Sequence, residues 1–126
     1  MIKSILGIIG AELRSIGIPY EFMRWTSPVQ YPYFIGEWSE TPTVTEDGNE
    51  EFSILLTGTT KNSWQELLDY EERIKDHFTE NGAFSKVTEK GVVVIFYDNS
   101  FPVPTGEDDL KRIQINLQIK AWKGTN

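Results

Sequence analysis

Ile113-Gln-Ile-Asn-Leu-Gln-Ile-Lys-Ala-Trp122 alternates without a break: Ile113, Ile115, Leu117, Ile119 and Ala121 are apolar, with Gln114, Asn116, Gln118, Lys120 and Trp122 between and after them. Successive side chains of a strand point to opposite faces, so this spacing predicts a long strand with one buried face and one polar outer face. Working backward, Asp98 to Asp109 contains Pro102, Pro104, Gly106 and three consecutive acids, and reads as a long loop. Val92-Val-Val-Ile-Phe-Tyr97 before it is apolar on both faces, the pattern of a central strand covered from both sides. Glu89-Lys90-Gly91 joins that strand to Phe84–Thr88 in a tight hairpin.

Two helices complete the pattern. Ser63-Trp-Gln-Glu66 has the form of a capping box, in which the serine hydroxyl accepts an amide hydrogen bond and the glutamate reaches back. Trp64, Leu67, Leu68, Ile74 and Phe78 follow at helical spacing, and Asn81-Gly82 ends the helix. At the N-terminus, Ile2, Ile5, Leu6, Ile9, Leu13 and Ile16 lie on one helical stripe. That helix runs over Ile2–Ser15 and stops at Gly17, with Pro19 just beyond. The apolar run from Ile5 to Ala11 is short for a signal peptide, and Glu12 and Arg14 follow at once. No stretch approaches the roughly 20 apolar residues of a membrane span, and a cytoplasmic protein is expected.

Between the helices the chain is rich in aromatics. Tyr20 to Trp25 reads as a short strand, Ser27-Pro28 breaks it, and Tyr31 to Ser39 is a second strand. Pro32 places the second at an edge or marks its first residues, because proline donates no ladder bond. Thr41 to Glu50 is a polar connection with Asp47-Gly48-Asn49 at its tip, and Glu51 to Thr59 is a third strand. The order α-β-β-β-α-β-β-β argues against a doubly wound parallel sheet. It predicts one α+β domain over residues 1–126, a mostly antiparallel sheet with two helices packed on one face.

Composition narrows the chemistry. The 126 residues carry 12 basic and 19 acidic side chains, a net charge of −7, with no cysteine and one histidine. Disulfides, thiolate catalysis and cysteine-based metal sites are therefore excluded. The acidic balance argues against sequence-specific nucleic-acid binding, which needs clustered Lys and Arg. His77 falls beside the apolar stripe of the second helix and reads as a lone boundary residue whose replacement costs little. The acids Asp47, Glu50, Glu51 and Glu107, Asp108, Asp109 lie in connections and lack calcium-loop spacing, so they read as solvated charge. Gly7-Ile-Ile-Gly10 lies inside an apolar stripe, and Gly58-Thr-Thr-Lys61 has no glycine before its lysine, so neither is a nucleic-acid or phosphate loop. No catalytic residue, cofactor or metal is expected, and no enzyme activity.

Aromatics and charge point to assembly instead. Tyr20, Phe22, Trp25, Tyr31, Tyr33, Phe34 and Trp38 crowd into 19 positions, more than a pair of strands needs for its core. The remainder suit a protein interface, with Trp25, Tyr33, Phe34 and Trp38 as candidates. Between Trp25 and Thr60 stand six acids (Glu37, Glu40, Glu46, Asp47, Glu50, Glu51) and no base. From Leu110 onward stand four bases (Lys111, Arg112, Lys120, Lys123) and no acid. Either the two segments are neighbours in one sheet, or Glu50 and Glu51 of one subunit meet Lys120 and Lys123 of the next, head to tail, as a ring requires.

The N-terminal helix, the aromatic strands and acidic hairpin through Thr59, the capped helix Ser63–Asn81 and the final strand to Trp122 together resemble the tail-terminator group of tailed-phage tail-completion proteins. The resemblance implies a non-enzymatic α+β protein of a phage or prophage. It would form a homo-oligomeric ring, a hexamer in that family, which ends tail-tube growth and supports head joining. Its partners would be tail-tube and head-completion proteins, with no membrane. It would sit in the host bacterial cytoplasm during assembly and then in the virion tail. The alternative from another class is a small cytoplasmic ligand-binding or regulatory domain with an aromatic pocket between Tyr20 and Trp38.

Overall fold

A computed structural model describes residues 2–41 and 49–123. The elements are α1 (Ile2–Ser15), β1 (Tyr20–Phe22), β2 (Tyr33–Thr41), β3 (Glu50–Thr60), α2 (Trp64–Thr79), β4 (Phe84–Thr88), β5 (Gly91–Val103) and β6 (Lys111–Lys123), with a short 3₁₀ turn over Glu80–Gly82. The expected tip at Asp47-Gly48 lies outside the described residues. The fold is α+β: two helices and one six-stranded mixed sheet in the order β1-β2-β3-β6-β5-β4, curled into a half-barrel. Every pairing is antiparallel except β1 with β2.

Period-two burial organises the sheet. Phe52, Ile54 and Leu56 of β3, Val93 and Ile95 of β5, and Ile113, Ile115, Leu117 and Ile119 of β6 share one core with Ile5, Ile9 and Leu13 of α1 and Leu67, Ile74 and Phe78 of α2. Phe34 sits over Gly58, where an added Cβ would run into its ring. Removal of this much apolar surface from water is the main source of stability.

Several expectations require correction. The first aromatic strand ends at Phe22, not Trp25, because Met23 takes φ 70° and turns the chain away from β2. The loop expected over Asp98–Asp109 is half strand: β5 runs to Val103 past a bulge between Tyr97 and Asn99. A bulge admits an extra residue without ending the ladder, so the polar residues here mark an irregular strand. The run Val92–Tyr97 is covered on one side only. Val93 and Ile95 are buried, while Val92 is exposed and Val94 and Phe96 are half-buried, on a strand that lies next to the edge strand β4.

The cap of α2 forms with one change. Ser63 Oγ accepts from the Glu66 amide at 3.1 Å, as the motif requires. The Glu66 carboxylate, however, accepts from Asn62 Nδ2 at 3.3 Å, which ties the helix start to the preceding turn.

Candidate functional site

The acidic and basic segments meet inside the chain. β3 and β6 are antiparallel neighbours, with Glu51 opposite Lys120. Lys120 Nζ lies 3.9 Å from Glu51 Oε1, and Lys123 Nζ lies 3.2 Å from Glu50 Oε1. Of the two arrangements these charges allow, the structure shows cross-strand pairing of Glu50 and Glu51 with Lys120 and Lys123 within one subunit, the ordinary way a sheet satisfies complementary charges.

The four aromatic candidates separate. Phe34 is completely buried and is a core residue, with Tyr70 6.1 Å away ring to ring, so it is withdrawn as an interface residue. Tyr33, on the opposite face of β2, is half-buried and lies 5.2 Å from Trp25 and 5.9 Å from Tyr31. Trp38 is 40% exposed. The Trp25 loop is held by Glu21, whose carboxylate accepts from the hydroxyl and amide of Thr26 and the amide of Ser27. The Thr26 hydroxyl bond above all holds the Glu21 carboxyl below its ordinary range. Tyr20 is buried with its ring over Gly36, filling the space an aromatic pocket there would need, and burial raises its pKa. The depression beside Trp38 is an open one of about 330 Å³, lined by Glu37, Ser39, Ser53, Leu55 and Asn116.

The face of the sheet turned away from the core is partly apolar. Val87, Val92 and Trp122 form one cross-strand row over β4, β5 and β6, and Val87 is 78% exposed. Phe101, farther along β5, is 43% exposed. Polar pairs bind the middle of this face: Asn116 Nδ2 donates to Asn99 Oδ1 at 2.7 Å, and Ser53 Oγ donates to Gln118 Oε1 at 3.1 Å.

Two polar groups differ from their expected roles. His77 Nε2 lies 2.9 Å from Glu12 Oε1, and its ring packs 5.0 Å from Phe78 and 5.7 Å from Phe84, so it ties α2 to α1 and is no isolated boundary residue. Glu71 carries no role in the sequence pattern and has one in the structure. It is 9% exposed and accepts from Tyr97 Oη at 2.6 Å and Ser100 Oγ at 3.2 Å. The bulge makes this possible: residues three apart in a regular strand face opposite ways, and one extra residue brings Tyr97 and Ser100 to the same side. Burial, with the Glu71 carboxylate accepting from the phenol, pushes the Tyr97 pKa up to about 12. A phenol held neutral in this way serves as a hydrogen-bond donor, a positioning role.

Among the described residues no group of three or more His, Asp or Glu side chains could hold a metal ion, and no helix is long and apolar enough to cross a membrane. No protein-family model and no curated protein sequence matches the chain. A solved structure superposes with a TM-score of 0.61 over 93% of this chain and 88% of its own, at 13% identity. A likeness at that identity places the chain among α+β proteins of this fold and assigns no activity.

Proposed function

We propose that the protein is a structural component of a phage or prophage tail, a ring-forming subunit that ends the tail tube and presents a surface for head joining. The observation that carries this reading is the sheet's outward surface, where Val87, Val92 and Trp122 form an exposed or half-buried apolar row beside polar cross-strand pairs. Apolar surface with a polar surround is what subunits that bind other proteins present. The element order from α1 through β6 is the one on which the resemblance to the tail-terminator group rests. On this reading the two helices pack together on one face of the sheet and leave the opposite face for neighbours. The protein works without catalysis or cofactor, in the host cytoplasm and then in the virion.

The test is electron microscopy of the purified full-length protein, alone and mixed with tail tubes prepared without a terminator. Closed rings that seat at tube ends and halt their growth are the expected result. Particles that never close and tubes that keep elongating would overturn the reading.

A further inference from the structure

The two edges of the sheet differ from ordinary protected edges in one respect: each offers an open run of five residues. Among the described residues β1 pairs with β2 only along Phe34–Gly36, which leaves Glu37–Thr41 with a described neighbour on the β3 side alone. At the other end β4, also five residues, is bonded among the described residues only to β5. The Phe34 amide donates to the Pro19 carbonyl at 2.8 Å and the Gly36 carbonyl accepts from the Met23 amide at 2.9 Å, so even-numbered residues of β2 turn their backbone groups toward the β1 side. By the alternation of a strand, the N–H and C=O of Trp38 and Glu40 point the same way, past the turn at Met23, and no described residue meets them. Such a row of unused donors and acceptors is a template for another strand.

We infer that β4 of a second copy fills this slot, pairing in parallel with Glu37–Thr41 of β2. Three observations select that occupant. Four successive antiparallel pairings, β2-β3, β3-β6, β6-β5 and β5-β4, bring β4 back to the direction of β2, so copies arranged head to tail present parallel strands. The core-side parity also agrees: Phe84 and Lys86 of β4 pair with Ile95 and Val93, and Trp38 and Glu40 of β2 pair with Ile54 and Phe52, all core residues. Setting Trp38 beside Phe84 of the neighbour then sets Glu40 beside its Lys86, an aromatic pair followed by an ion pair. Finally, Glu40 and Lys86 are exposed and make no ion pair among the described residues, while Trp38 is 40% exposed where its strand lacks a flank. The inference rests on the ring reading and names its contact.

The chain has no cysteine, so Glu40→Cys with Lys86→Cys reports this contact alone. Within one chain β2 and β4 are four strand spacings apart, roughly 19 Å along the sheet, beyond the reach of a disulfide. Mild oxidation of the double variant is expected to give a ladder of covalent multimers that neither single variant gives. Covalent dimers from Lys86→Cys alone would show β4 pairing with itself and overturn the inference. Glu40→Pro removes an outward N–H and no bond to β3. It is expected to weaken assembly at least tenfold by light scattering while circular dichroism and melting stay those of the parent. An oligomer that survives Glu40→Pro and gives no ladder refutes this contact and leaves the ring standing. A parent protein that is monomeric refutes both.

Discussion

Phe34 and Trp38 sit four residues apart on β2 and on the same side of it, yet one is fully buried and the other 40% exposed. Neither residue type nor face accounts for that. Phe34 has β1 beyond it, Tyr70 near its ring and Gly58 beneath; Trp38 has β3 on one side and, on the other, only the slot left when Met23 turns away. On the core side of β2, then, the aromatic with strands on both sides is buried and the one with a strand on one side is exposed. The first half of β2 is thus finished within the chain, and the second half is where a neighbour can add structure.

The largest expected effect is on the finished half. Phe34→Ala removes a fully buried ring and should cost about 3–5 kcal/mol, read as an earlier denaturation midpoint with unchanged slope. Trp38→Ala should cost the monomer far less and be felt in assembly. Equal losses of monomer stability would break the comparison.

Next comes the polar network that fixes the bulge of β5. Tyr97→Phe leaves the buried Glu71 carboxylate with Ser100 as its remaining donor in this network and should cost about 1–3 kcal/mol. It also has a signature in pH. The folded pKa of Tyr97 lies above the ordinary phenol value, so folding favours the protonated form. The stability this supplies is complete below about pH 10 and is lost as pH rises toward about 12. Alkaline unfolding curves should therefore differ between the parent and Tyr97→Phe in that window, with the parent losing more.

Smaller effects follow. Ser63→Ala removes the hydroxyl that accepts from the Glu66 amide and should cost about 1 kcal/mol in denaturant titrations. Lys123→Glu breaks an exposed cross-strand pair and should cost less than about 1 kcal/mol, with a difference that shrinks as salt rises. If Lys123→Glu instead abolished assembly while melting were unchanged, the charge pairing would act between subunits after all.

Local periodicity made much of this fold legible. Helix α1, the cap at Ser63, the β4–β5 hairpin and the alternation of β6 all depend on residues within a few positions of one another. What was not legible depends on pairing at a distance. Nothing in β3 or β6 alone says that Glu51 faces Lys120, because register is set by the whole buried face. Asp98, Pro102 and the acids that follow read as loop, and strand β5 continues through the first of them because β6 supplies a partner as far as Arg112. Glu71 did leave a signal: it falls at the stripe position between Leu67 and Ile74, where a carboxylate must find donors. Trp38 left none, since an open edge is defined by the strand that is absent.

Whether copies of this chain complete one another's open sheet shows in the native mass of the unmodified protein in solution. The expected result is a discrete oligomer larger than a dimer, in concentration-dependent exchange with the 14.5 kDa subunit. A single 14.5 kDa species at every concentration that remains clear would contradict it.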